Sequence, residues 1–182
     1  MSEMFSRRVF MRGLGVVAAA AALTACSSTN EAVNQALIEG AVGGIVATDC
    51  NFRCGEFWSA GAQVPSYYIG AAITMSNVSS KPVDITRDNF AVTVDGAPLA
   101  PSMLMVFDAG STKNGSSYVT FTIKPGEERT LEIDCNVNKP TYDAWGKTNQ
   151  TVTVTFTCGN QRVTYTGSSR SDEIVAGEIE TL

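Results

Sequence analysis

Between residues 66 and 166, apolar side chains recur at every second position, and this period constrains the chain more than any other feature. Tyr67, Ile69, Ala71, Ile73 and Met75 share one parity, with Gly70, Ala72, Thr74 and Ser76 on the other. Successive side chains of an extended chain point to opposite faces, so the pattern describes a strand with one buried face. Phe90, Val92 and Val94 repeat it up to the turn pair Asp95 and Gly96, and Ser102 to Phe107 is a continuous apolar run. Val119, Phe121 and Ile123 precede the turn residues Lys124, Pro125, Gly126 and Glu127. Leu131, Ile133, Cys135 and Val137 alternate with Thr130, Glu132 and Asp134. Val152, Val154, Phe156 and Cys158 alternate with threonines, and Val163 and Tyr165 follow the turn at Gly159 and Asn160. About seven short strands joined by turn chemistry, with no strong helix, predict an all-β antiparallel sandwich. Parallel strands need crossovers of about a dozen residues or more, generally helical, which this region lacks. Each apolar face must be covered by a second sheet, at roughly 25 cal/mol per Å² of apolar surface removed from water.

The beginning of the chain has a different grammar. Residues 1–12 are basic, Gly13 to Leu23 form an Ala-rich apolar run, and small residues follow at Ala25 and Cys26, the three-part layout of a secretory signal. As a helix those apolar residues would reach roughly 16 Å, about half of a hydrocarbon core, so they predict a removable leader and not a permanent span. Leu23, Thr24, Ala25 and Cys26 resemble the lipobox of bacterial lipoproteins. The resemblance implies that Cys26 receives a diacylglycerol group and becomes the first mature residue; two or more acyl chains hold a protein stably to a bilayer. Ser6, Arg7, Arg8, Val9, Phe10 and Met11 resemble the twin-arginine export motif, with Met where Leu is usual and Arg12 where Lys is usual. That route implies export of an already folded chain. Residues 1–25 are expected to be a signal peptide, 26–65 a tether with a marginal helix and a cysteine loop, and 66–182 the sandwich with an acidic tail. The marginal helix rests on Val33, Leu37, Val42, Ile45 and Val46, weakened by Gly40, Gly43 and Gly44.

A chain of 182 residues is long enough for one domain with a real core. Its formal charge of −5 becomes −7 without residues 1–25, which carry three arginines against one acid. An acidic chain repels phosphate backbones, so nucleic acid is not an expected partner. The sequence contains no histidine, which removes the commonest general base and the commonest metal ligand and excludes Ser/His/Asp and Cys/His catalysis within the chain. With Cys26 lipidated, four cysteines remain, and outside the cytoplasm an even number suggests disulfides in one of three connectivities. Cys135 and Cys158 share inward parity on consecutive strands, which makes their pairing reasonable if those strands are neighbours; Cys50 and Cys54 would then close a small local loop.

The segments YIGAAITMSNVSS from Tyr68, KPVDITRDNFAVTVDG from Lys81 and FTIKPGEERTLEID from Phe121 resemble the immunoglobulin-like domains of unknown function found in secreted bacterial lipoproteins. In those domains a strand ends in an Asn plus small polar turn, another ends at Asp-Gly, and a Pro-Gly turn precedes a third. The resemblance covers roughly residues 66–166 and implies a surface interaction domain with no catalytic residues to carry over.

Three groups of residues are the remaining places for chemistry. Asp84, Arg87, Asp88 and Asn89 lack the spaced carboxylates and closing Glu of a Ca²⁺ loop and read as an exposed connection, so no metal or cofactor is expected. Glu127 with Asp134 is a carboxylate pair of the kind a glycoside hydrolase needs, without a placement signal. Phe57 and Trp58, and Tyr142 and Trp145 in the polar stretch from Asn136 to Gln150, offer flat faces to a sugar ring or a partner protein, or else cap the ends of the sandwich. The expectation is a non-catalytic interaction module held to a membrane, meeting an envelope protein or an extracellular polymer. An accessory subunit of an envelope complex and a carboxylate-dependent hydrolase are the alternatives.

Overall fold

The computed structural model describes residues 40–182, apart from Thr112 and the side chain of Asp172. Arg7, Arg8 and Cys26, and the first half of the expected helix, lie outside the described residues. The rest is built almost wholly of antiparallel strands: β1 (Ile45–Phe57), β2 (Ser66–Asn77), β3 (Val83–Thr86), β4 (Phe90–Val94), β5 (Ala97–Leu99), β6 (Pro101–Asp108), β7 (Ser116–Ser117), β8 (Thr120–Ile123), β9 (Glu128–Val137), β10 (Thr151–Cys158), β11 (Gln161–Ser168), β12 (Ser171–Ala176) and β13 (Glu180–Thr181). One short helix, α1 (Lys139–Ala144), lies between β9 and β10.

One sheet runs β1-β2-β9-β6-β7 and the other β12-β11-β10-β4-β5, with β13 added beside β11 and a separate β3-β8 ribbon. Taken in chain order, β1-β2-β9-β6 is the A-B-E-D sheet of an immunoglobulin sandwich, and β11-β10-β4 is its G-F-C sheet. The seven expected strands are all present, as β2, β4, β6, β8, β9, β10 and β11. The acidic tail adds edge segments β12 and β13.

The inward parity fills the space between the sheets. Ile69, Ala71, Ile73 and Met75 of β2 and Leu131, Ile133 and Cys135 of β9 are fully buried, facing Phe90, Val92, Val154, Phe156 and Tyr165 of the second sheet. Each fully buried aliphatic or aromatic side chain contributes about 1.5–3 kcal/mol. Turn chemistry fixes the registers. Val94 pairs with Ala97 across the two-residue loop Asp95-Gly96, whose φ angles of 50° and 79° give the left-handed pair that a hairpin of this length requires.

Asn77 closes one end of the molecule. Fully buried at the end of β2, it donates to the carbonyls of Lys81 and Ile123, each at 2.8 Å, and accepts from the amide and hydroxyl of Ser79. Its side chain ties the β2–β3 turn to β8. Asn77→Ala would leave these buried groups unpaired and is expected to cost about 2 kcal/mol, measured by urea unfolding.

Three expectations are corrected here. Residues 40–47 do not form the expected helix: Gly43 and Gly44 have φ of 58° and 86°, Val42 bridges to Ile45, and β1 starts there. The cysteine loop from Cys50 is part of β1, so the sandwich begins at Ile45 and not at residue 66. The polar stretch after β9 is partly helical, because Asn138 caps the Thr141 amide at 2.9 Å and a proline sits in the first turn of α1.

Candidate functional site

Strand direction gives the sandwich two poles. The chain enters at one, where the Gly43 amide donates to the Gln161 side chain at 3.1 Å and the Val78 amide donates to the Gly44 carbonyl at 2.9 Å. β1 then runs the length of the sheet, about 40 Å at ~3.3 Å per residue, and delivers the β1–β2 hairpin to the opposite pole.

At that far pole the sequence-predicted aromatics separate into two roles. Trp145 packs against the small cluster of Ile69, Val94 and Val152 and seals the end of the core. Tyr142 stacks on Tyr67 with centroids 4.6 Å apart at 34°, and the Lys139 ammonium lies 5.9 Å from the Tyr67 ring while pairing with Asp143 at 2.6 Å. The hydrogen bond and charge of that pair raise Lys139 and lower Asp143 from their ordinary values. These residues cap the sandwich. Phe57 and Trp58 do not: they are 41% and 59% exposed, and Val64 in the same hairpin loop is 72% exposed. From Phe57 to Pro65 the loop carries no charged residue, and positions 57–64 are all exposed.

Among the described residues, Cys50, Cys54, Cys135 and Cys158 are free thiols, so neither expected bridge is formed. Cys50 and Cys54 lie four positions apart on one extended strand, about 13 Å, whereas a disulfide needs Cα atoms roughly 4.4–6.8 Å apart. Cys135 and Cys158 face each other's sheets but at opposite ends: Cys135 is seven positions along β9 from the chain-entry pole, about 23 Å, whereas Cys158 ends β10 beside Gly43 at that pole. Cys54 and Cys135 share a cross-strand row, yet Ile69 stands between them, leaving about 9–10 Å. Burial raises all four thiols, Cys54 to about 11 and Cys135, with the Asp134 charge adding to burial, to about 12. Protonated thiols are poor nucleophiles.

The remaining candidates make contacts within the fold. Asp84 accepts from the Thr122 hydroxyl at 2.6 Å, Arg87 donates to the Ser102 carbonyl, and Asn89 joins Thr86 to the Thr157 carbonyl. Glu127 pairs with Arg129 at 2.8 Å and accepts from the Lys124 amide at 2.8 Å. It stands at the chain-entry pole, seven positions from Asp134 and about 23 Å away along the strand, beyond the roughly 5–9.5 Å of a glycosidase carboxylate pair. Among the described residues no group of three or more His, Cys, Asp or Glu could hold a metal ion.

Asp134 instead sits beside Glu132 and Arg53 on the outer face of the five-stranded sheet. The alternating pattern marked that face as solvent-exposed, yet Thr74, Thr130, Glu132 and Asp134 on it are buried. The Gly110 amide donates to the Thr130 hydroxyl at 2.9 Å, so the segment after β6 lies against it. A depression there, lined in part by Asp49, Thr74, Ser111 and Thr130, holds about 10 Å³, the space of one water molecule.

No family model matches the chain, and no curated protein does. Among solved structures with partial similarity are the following two. One is an uncharacterized β-sandwich protein from Clostridium difficile 630, at a TM-score of 0.38 and 18% identity over 68% of this chain and 83% of that one. The other is a protein from Archaeoglobus fulgidus, at a TM-score of 0.26 and 13% identity over 72% of this chain and 98% of that one. The architecture rests on the strand pairings themselves.

Proposed function

We propose that this chain is an extracytoplasmic lipoprotein, held to a membrane through lipid on Cys26, whose sandwich is a non-catalytic interaction module that meets its partner with the β1–β2 hairpin. The observation that carries this reading is polarity: the tether enters at one pole, and an uncharged loop with exposed Phe57, Trp58 and Val64 projects at the other. Isolated exposed apolar residues need no explanation, but several in one loop without charge are a contact surface. Aromatic side chains concentrate binding energy because they cover much area for few rotatable bonds.

The leader supports the location. Arg7 and Arg8 within the twin-arginine-like motif and the lipobox-like ending at Cys26 direct the chain out of the cytoplasm and onto a bilayer. Protonated thiols that are buried at Cys50 and Cys135 and partly buried at Cys54 and Cys158 suit a domain that has folded before it meets an oxidising compartment. The partner is an envelope protein or an extracellular polymer.

A photo-crosslinking side chain placed at position 58, and separately at Asn160 on the tether pole, tests the reading in intact cells. Adducts of one defined mass from position 58 and none from 160 are expected; adducts only from 160, or none from 58, would contradict it. Trp58→Ala is expected to change stability by less than about 0.5 kcal/mol and to reduce capture of that partner at least tenfold, read by quantitative co-purification.

A further inference from the structure

The outer face of the five-stranded sheet places two carboxyl groups and one guanidinium where little water reaches. Register puts Arg53, Gly70 and Asp134 in one cross-strand row and Asn51, Ala72 and Glu132 in the next. The Arg53 guanidinium reaches diagonally past its own row to Glu132, with Nη1 2.8 Å from Oε2, and the Glu132 side chain is only 7% exposed. Asp134 is 9% exposed, and its Oδ1 is buried without a hydrogen-bond partner. Among the described residues the groups around it offer no second cation: Met103 of β6 is its cross-strand neighbour, the Ser102 hydroxyl donates to the main-chain carbonyl of Asp134, and Tyr68 of β2 lies one row beyond. Gly70, directly between Arg53 and Asp134, has no side chain to separate them.

A buried carboxylate oxygen left without a donor is costly, and two carboxylates against one guanidinium leave a net negative charge in the site. One proton removes the charge imbalance and lessens the cost of the unpaired oxygen. We infer that Arg53, Glu132 and Asp134 form a proton-linked switch on the outer sheet face: a proton on Asp134 holds the site neutral and closed, and its loss makes the two acids compete for Arg53 and loosens edge strand β1. Burial first, and the Glu132 charge second, push Asp134 up to about 7, with Arg53 opposing them. In the unfolded chain the same carboxyl ionises at its ordinary value near 4. Folded protein therefore keeps a proton that unfolded protein gives up, so stability falls as pH rises from about 4 to about 7 and the loss is complete above that.

The test uses the mature chain with ¹³C-labelled aspartate. The Asp134 carboxyl resonance is expected to titrate between pH 6 and 8, moving up in Arg53→Gln and down in Glu132→Gln. The wild-type folding constant is expected to fall at least tenfold more than that of Asp134→Asn between pH 5 and 8, and amide exchange in β1 to accelerate across the same window only in the wild type. A midpoint below pH 5, or equal pH slopes for wild type and Asp134→Asn, would overturn the switch; should Asp134→Asn fail to fold, the wild-type titration decides alone. None of these readouts involves the hairpin loop or a partner.

Discussion

Phe156→Ala is expected to lower the unfolding free energy by about 3–5 kcal/mol, the largest loss from any single truncation in the core. Phe156 is 1% exposed on β10, the central strand of the second sheet, between Phe90 on β4 and Val163 on β11. Its ring centroid lies 5.2 Å from that of Phe90 at 38°, a tilted contact that adds to the area term. Both flanking strands are held by ladder hydrogen bonds, so the sheet cannot collapse into the space the ring leaves, and the cavity cost adds to the lost transfer energy. Urea denaturation with an unchanged slope and a midpoint lowered accordingly, or a melting temperature lower by roughly 10 °C or more, is the expected result. A loss below about 1 kcal/mol would mean that the two sheets do not enclose this ring.

Gly70→Val is expected to cost about 3 kcal/mol or more, against the usual expectation that valine strengthens a strand. A Cβ at Gly70 would run into the main-chain oxygen of Ile133 on β9. The obstacle is backbone within the sheet and cannot rotate aside, so β2 and β9 would have to separate where both are central. Gly70→Ala should already show most of the loss, because the first carbon makes the collision. Equal stability of Gly70→Ala and wild type in thermal melts would show that the two strands do not approach as described.

Much of this architecture was written in the alternation. β2, β4, β9 and β10 each bury one parity against the opposite sheet, so their period survives intact in the sequence. β1 escaped for a physical reason. Its pairing with β2 shifts between Ala47 and Asp49, and that bulge moves the inward set from Ile45 and Ala47 to Cys50, Phe52 and Cys54, breaking the period within one strand. Two of those inward residues are cysteines, which in an exported chain read first as a disulfide loop. The bridge assigned to Cys135 and Cys158 failed on position along the strands and not on parity: both side chains turn inward, but Cys135 lies toward the far pole and Cys158 ends β10 against Gly43 at the chain-entry pole. α1 left a readable trace in Asn138 and Pro140, an N-cap and a first-turn proline.

The candidate sites divide the same way. Phe57 and Trp58 were identifiable as residues, but only the fold shows that they project while Tyr142 and Trp145 are engaged in capping. The Arg53, Glu132 and Asp134 cluster had no sequence signal at all. Alternation assigns β9's second parity to solvent, and the burial of that face depends on contacts with segments distant in sequence. Charged residues on a strand's polar face are ordinary until something covers them.

The central claim, that this sandwich is exported and held to a membrane by lipid at its chain-entry pole, is tested most directly by intact-mass spectrometry of the protein extracted from its native membrane. The expected species begins at Cys26, carries a diacylglycerol adduct, and shows Cys50, Cys54, Cys135 and Cys158 as thiols. A species that retains Met1 and bears no lipid would contradict it.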